Sequence, residues 1–155
     1  GRYTMDNVQN AEYIRLDSIT HPRWIDAMAA QINHACKGVP FFRWHDSGDI
    51  QDLDHLCKIV DVVKLTPAVQ HWLPTREYKI VQLYRQLYGE FPSNLVVRLS
   101  AHMIDVDPPS GYGLPTSTVV SDNTETCPSR SQDNECKDCR ACWNSDVSNV
   151  SYARH

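Results

Sequence analysis

Apolar positions recur along the first third of the chain with the spacing of helices. Met5, Val8, Ala11 and Ile14 predict one helix that Thr4 can cap and that runs to about Leu16. Pro22 suits a first helical turn, and Ile25, Met28, Ala29, Ile32 and Cys36 predict a second helix, ended by Gly38. The rhythm then alternates between short apolar runs and helical stripes. "PFFRWH" (Pro40 to His45), "VQHWL" (Val69 to Leu73) and "LVVRLSAHMI" (Leu95 to Ile104) read as strands. Between them lie a helix with Leu53, Leu56, Cys57, Val60 and Val63 on one face, capped by Asp49 or Asp52, and a second with Ile80, Val81, Tyr84, Leu87 and Tyr88, closed by Gly89.

Strands that alternate with helices over short connections predict an α/β fold: a small open parallel sheet or a partial β/α barrel. After Ile104 the pattern lapses into "DVDPPSGYGLP", a loop. "STVVS" (Ser117 to Ser121) and "VSYARH" (Val150 to His155) read as short further strands on either side of a segment without periodicity. The expected organisation is one domain over residues 1–155, with an N-terminal helical part (1–38), a β/α core (39–105) and a C-terminal metal-binding loop segment (106–155).

Bulk properties narrow the function. Hydrophobic residues make up 41% and charged residues 22% of the 155, as in ordinary globular chains. No apolar run approaches 18 residues, so no membrane span is expected, and no leader-like segment is visible. The formal charge is −4 and no basic stripe is present, so a nucleic-acid partner is not expected. Nothing in the sequence specifies an oligomeric state.

The segment without periodicity holds the chemistry. Four of six cysteines fall in it: Cys127-x8-Cys136-x2-Cys139-x2-Cys142. Three uses of such thiols compete. Structural disulfides are disfavoured in a reducing compartment. Zinc bound by four cysteines usually takes two separate C-x2-C pairs, whereas here three thiols share one run. A C-x2-C-x2-C run places successive thiols at corners of one iron–sulfur cubane, with Cys127 as the natural fourth ligand, so a [4Fe–4S] cluster is the leading expectation and zinc the alternative. Four protein ligands leave no open iron, which suits electron transfer. Trp143 follows and can shield one face. Cys36 and Cys57 fall on apolar helix faces and read as core residues. Between Ser121 and Asp146 six acidic and three basic residues leave −3, which predicts a low reduction potential.

"FFRWHDSGDI", "NLVVRLS" and "C…CKDCRACW…VSYARH", with the opening "GRYTMDNVQNA", resemble a phage-encoded family known as gene product 88. The most specific elements are Arg43, the run from His45 to Asp49, and the four cysteines with Trp143. In longer members a cysteine-containing segment ending in Cys-Tyr-Ala precedes the corresponding region. The resemblance implies a virus-borne iron–sulfur or metal protein in the cytoplasm of an infected host. More distantly, the β/α order is similar to the partial barrels of radical enzymes that use S-adenosylmethionine. Their C-x3-C-x2-C motif is absent here, so that activity is not carried over.

Ligand sites in parallel α/β folds gather at the carboxyl ends of strands. Here those ends bring His45, Asp46, Asp49, Arg76 and His102 as a second candidate edge, suited to a small polar or phosphorylated ligand. Turn formation and helix capping are the competing roles for the aspartates. His45, Asp46 and Ser47 do not form a catalytic triad, because neighbours on one strand point to opposite faces. Catalytic residues are not assignable. The sequence thus predicts a one-cluster redox or electron-transfer protein acting with a partner protein or small molecule. The alternatives are a zinc-stabilised binding module and a cluster-dependent oxidoreductase with substrate at the strand-end edge.

Overall fold

Five parallel strands, added in chain order, form a strongly curled open sheet, half of a barrel. The computed structural model describes residues 6–45 and 48–154; Thr4, Met5, Asp46, Ser47 and His155 lie outside them. Two helices, α1 (Asp6–Ser18) and α2 (Trp24–Ala35), precede β1 (Phe41–Arg43). Then come α3 (Leu53–Leu65), β2 (Gln70–Thr75), α4 (Tyr78–Tyr88), β3 (Leu95–Ile104), β4 (Thr116–Val120) and β5 (Asn149–Ala153). All five expected strands and all four helices are present, with ends moved by a residue or two. The expected α/β half-barrel is the observed fold. None of the helices among the described residues is long and apolar enough to cross a membrane.

Strand alternation divides the sheet into two differently filled faces. Leu73, Leu95, Val97 and Leu99 meet Ile32, Leu56, Ile59, Val60, Val63 and Val81 from the helices, forming the main core. Cys36 is buried in that core and Cys57 packs half-buried against it. Trp72, Val150 and Tyr152 belong to a separate cluster, covered by the cysteine segment and not by a helix. The first two crossovers carry α3 and α4, whereas the last two carry no α-helix, and the cysteine segment within residues 121–148 covers the face opposite the helices.

Several local choices follow from side chains. Asp52, and not Asp49, caps α3: its Oδ1 accepts the His55 N–H at 2.7 Å. Asn94 closes the other end, its amide donating to the Val63, Thr66 and Val69 carbonyls. β3 runs in register with β4 to Ser100 and then slips before Ile104 pairs with Val119. The slip turns His102, Met103 and Ile104 out to solvent. The N-terminal helix forms as its spacing predicts, but Ile14 is 70% exposed, so its apolar stripe does not reach the core.

Candidate metal centre

The four clustered cysteines are brought to one place by different means. Thr126 and Cys127 run beside the outer edge of β5, where both N–H groups donate to the Ser151 carbonyl (3.2 and 2.9 Å) and Thr126 Oγ1 accepts the Ser151 N–H at 2.9 Å. A 3-10 turn, Pro128–Ser131, carries the chain away from Cys127. Asp133 and Asn134 then take left-handed backbone angles (φ 58° and 63°), a conformation both residue types tolerate. Lys137 also does so (φ 41°), which is uncommon for a long side chain. It lies inside the Cys136–Cys139 turn, closed by the Cys139 N–H on the Cys136 carbonyl at 2.8 Å. A second 3-10 turn, Ala141–Trp143, buries Cys142, with its Sγ 3.2 Å from the Tyr152 hydroxyl on β5.

All four thiols line one small pocket, a cavity of about 10 Å³, with Pro128, Ser129, Ala141, Trp143 and Val150. They are graded from outside to inside: Cys136 exposed, Cys127 and Cys139 half-buried, Cys142 buried. All are free thiols. Trp143 walls the pocket as its sequence position suggests. Its indole N–H donates to the Phe42 carbonyl at 3.0 Å, and its ring meets Trp72 and Phe41 edge-on. Among the described residues no three Cys, His, Asp or Glu side chains stand close enough together to hold a single metal ion. The thiols therefore share a cavity without converging on one point.

Charge near the pocket differs from what the flanking sequence suggests. Glu135 and Asp138 are exposed, and Asp133 pairs with Lys137 at 3.7 Å. The charges that act on the thiols are arginines. Burial pushes the Cys136 thiol up, as do its Cys127 and Cys139 neighbours, while Arg140 and Arg43 pull it down. Burial likewise raises Cys142, opposed by the Tyr152 hydrogen bond and by Arg98. Tyr152 itself is held far above its ordinary value, chiefly by burial. Arg43 and Arg140 lie over the Trp72 and Phe41 rings, at 4.9 and 4.7 Å from the ring centres.

Arg98 is the functional candidate that pattern reading misses. It occupies the middle of β3 between Val97 and Leu99, pointing to the opposite face from both, and is fully buried. Its guanidinium reaches the Ala141 and Asn144 carbonyls of the cysteine segment. The signal was visible: one cation inside "LVVRLS", at a position where strand alternation turns it away from the helices. Arg98 Nε and Trp72 Nε1, like Trp44 Nε1 and Arg85 Nε elsewhere in the fold, are buried without a hydrogen-bond partner among the described residues. Four free thiols in one pocket, with a buried cation bonded to the carbonyls on either side of Cys142, are a donor set that fits an anionic thiolate-bound metal centre.

The second candidate edge is partly assembled. Asp49 binds inward: its Oδ1 accepts the Thr75 hydroxyl (2.5 Å) and the Ile50 N–H (2.7 Å), and its Oδ2 accepts the Arg76 N–H (2.8 Å). His45, at φ 54°, is half-buried, and burial lowers its pKa against the raising influence of Asp49. The Arg76 side chain is exposed. His102 lies against the Tyr78 ring at 4.8 Å, and the Tyr78 hydroxyl donates to the Ser100 carbonyl. Tyr78, which the sequence did not flag, thus joins the ends of β2 and β3. Asp46 lies outside the described residues.

Fold and site together define a class: an α/β half-barrel whose inner face is closed by a four-cysteine loop. The chain belongs to the gene product 88 family, a phage-type family whose model matches residues 1–145. The match includes Arg98 and all four clustered cysteines and ends short of β5. No curated protein and no solved structure matches the chain.

Proposed function

We propose that this protein holds one [4Fe–4S] cluster through Cys127, Cys136, Cys139 and Cys142 and serves as a redox or electron-transfer protein in the cytoplasm of an infected host. The observation that carries the reading is the arrangement of the thiols. All four line one pocket, and three of them come from a single C-x2-C-x2-C run. A tetrahedral zinc ion needs four sulfurs at about 2.3 Å from one point. A cubane takes its thiolates at four separate irons and tolerates a wider spacing.

The group would supply one-electron chemistry, and the chain supplies everything around it. The buried Cys142 would hold the group from the inner side and the exposed Cys136 from the outer side, where a partner protein or small molecule can approach most closely. Trp143, Trp72 and Val150 exclude water from the inner side. Four cysteine ligands would leave no iron open to substrate.

The test is the visible spectrum of protein purified without oxygen. A broad band near 400 nm (about where thiolate-bound iron–sulfur centres absorb) that bleaches on reduction and returns on oxidation supports the reading. A colourless protein that takes up zinc and gains no such band with iron and sulfide refutes it.

A further inference from the structure

Arg98 is 0% exposed and pairs with no carboxylate among the described residues. Its Nη1 donates to the Thr116 and Val147 carbonyls (2.8 and 3.0 Å), and its Nη2 to the Ala141 and Asn144 carbonyls (3.2 and 3.0 Å). Those four bonds tie β3 to the start of β4 and to the last turn of the cysteine segment. They satisfy donors but supply no opposite charge, and a buried cation without a counter-ion is strongly unfavourable. The Nε–H remains unpartnered. The ionisable groups whose charge reaches the guanidinium are the Cys142 thiol and the Tyr152 hydroxyl. Arg98 therefore stands behind Cys142, the innermost ligand of the proposed centre, bonded to the Ala141 and Asn144 carbonyls on either side of it and with its charge uncommitted.

We infer that Arg98 is the internal counter-cation of the cysteine pocket, present to hold an anionic thiolate-bound metal centre and to set its charge balance. The inference rests on the metal reading above, but the charge argument does not depend on the metal. Four thiolates around a core of about +2 leave about −2 whether the core is a cubane or zinc. Because the same guanidinium binds the carbonyls of residues 141, 144 and 147, filling the pocket and closing the loop reinforce each other.

The test compares Arg98→Lys, which keeps the charge and loses the fork, with Arg98→Gln, which loses the charge and keeps hydrogen-bonding capacity. Each is loaded with iron and sulfide, and separately with zinc. Metal release to a chelator and urea unfolding with and without metal are then measured. Arg98→Lys should hold metal close to wild type, and Arg98→Gln should bind about 10–100-fold more weakly. The stability lost in Arg98→Gln should be larger with metal than without, and any iron–sulfur form should show a lower reduction potential. Equal loss with and without metal, or an Arg98→Lys that releases metal as fast as Arg98→Gln, overturns the inference. If Arg98→Gln does not fold, Arg98→Lys decides alone: retention supports the counter-charge and loss refutes it. If wild type takes zinc and never a cluster, the function proposal fails while the retention arm still reads Arg98.

Discussion

Replacing Asp49 by alanine separates a structural clasp from a ligand-binding residue. The carboxylate is the acceptor for two groups 26 and 27 residues away, the Thr75 hydroxyl and the Arg76 N–H. Thr75 Oγ1 in turn accepts the Glu77 N–H at 3.0 Å at the start of α4, so one side chain joins the exit of β1, the end of β2 and the first turn of α4. A hydrogen bond to a charged group is worth about 1.5–3 kcal/mol. Asp49 is half-exposed, so the low end applies, and two bonds give about 3 kcal/mol for Asp49→Ala. For a domain of this size that is a fall in Tm of about 6–12 °C. Asp49→Asn keeps the shape and one acceptor but sets an amide donor against the Arg76 N–H, and should cost about half as much. Urea unfolding followed by tryptophan fluorescence reads both, with the midpoint moving at constant slope. Metal content should not change. If Asp49→Ala stays within about 0.5 kcal/mol of wild type (the usual range for surface substitutions), the clasp is wrong and Asp49 returns as a ligand candidate.

Cys139→Ser should lose the metal and leave residues 121–148 open to amide exchange while α3, β2 and β3 stay protected, because that loop has few buried apolar anchors of its own. Retention of full metal content would refute the ligand set. Cys36→Ala and Cys57→Ala should keep the metal and cost on the order of 1 kcal/mol or less in urea unfolding, the buried Cys36 more than Cys57; loss of metal from either would make it a ligand. Burial lowers the pKa of His55 and of His71 to about 4 in the folded chain. The unfolded chain then binds protons more readily, so stability should be level above about pH 7 and fall as pH drops from about 6.5 towards 4. The limit is about 3 kcal/mol per ring. His71→Gln should flatten the urea midpoint against pH, and an unchanged slope would contradict the assignment.

The parts legible in the sequence were those governed by local periodicity. Val97 and Leu99 alternate, the α3 stripe repeats, and the resulting order of strands and helices already implied a parallel half-barrel. The compact cysteine spacing likewise named the pocket's walls. What stayed hidden depends on residues far apart in the chain. The partners of Asp49 lie on β2, so it read as a cap, a role that Asp52 fills. His102 read as a strand position facing either the core or the ligand edge, because the slip of β3 past Ser100 depends on its pairing with β4. The acidic flank of the cysteines predicted a low potential by counting charges along the segment. Folding turns Glu135 and Asp138 to solvent and brings Arg43 and Arg98 to the thiols from other strands. Arg98 was the one hidden part with a local signal, a lone charge inside an apolar strand.

Iron and acid-labile sulfide, counted per chain in protein purified without oxygen, test the cluster assignment most directly. The account predicts about four of each per chain, the composition of one [4Fe–4S] cluster, and loss of both from Cys139→Ser. Zinc at about one per chain with no sulfide, or iron that stays after Cys139→Ser, would contradict it.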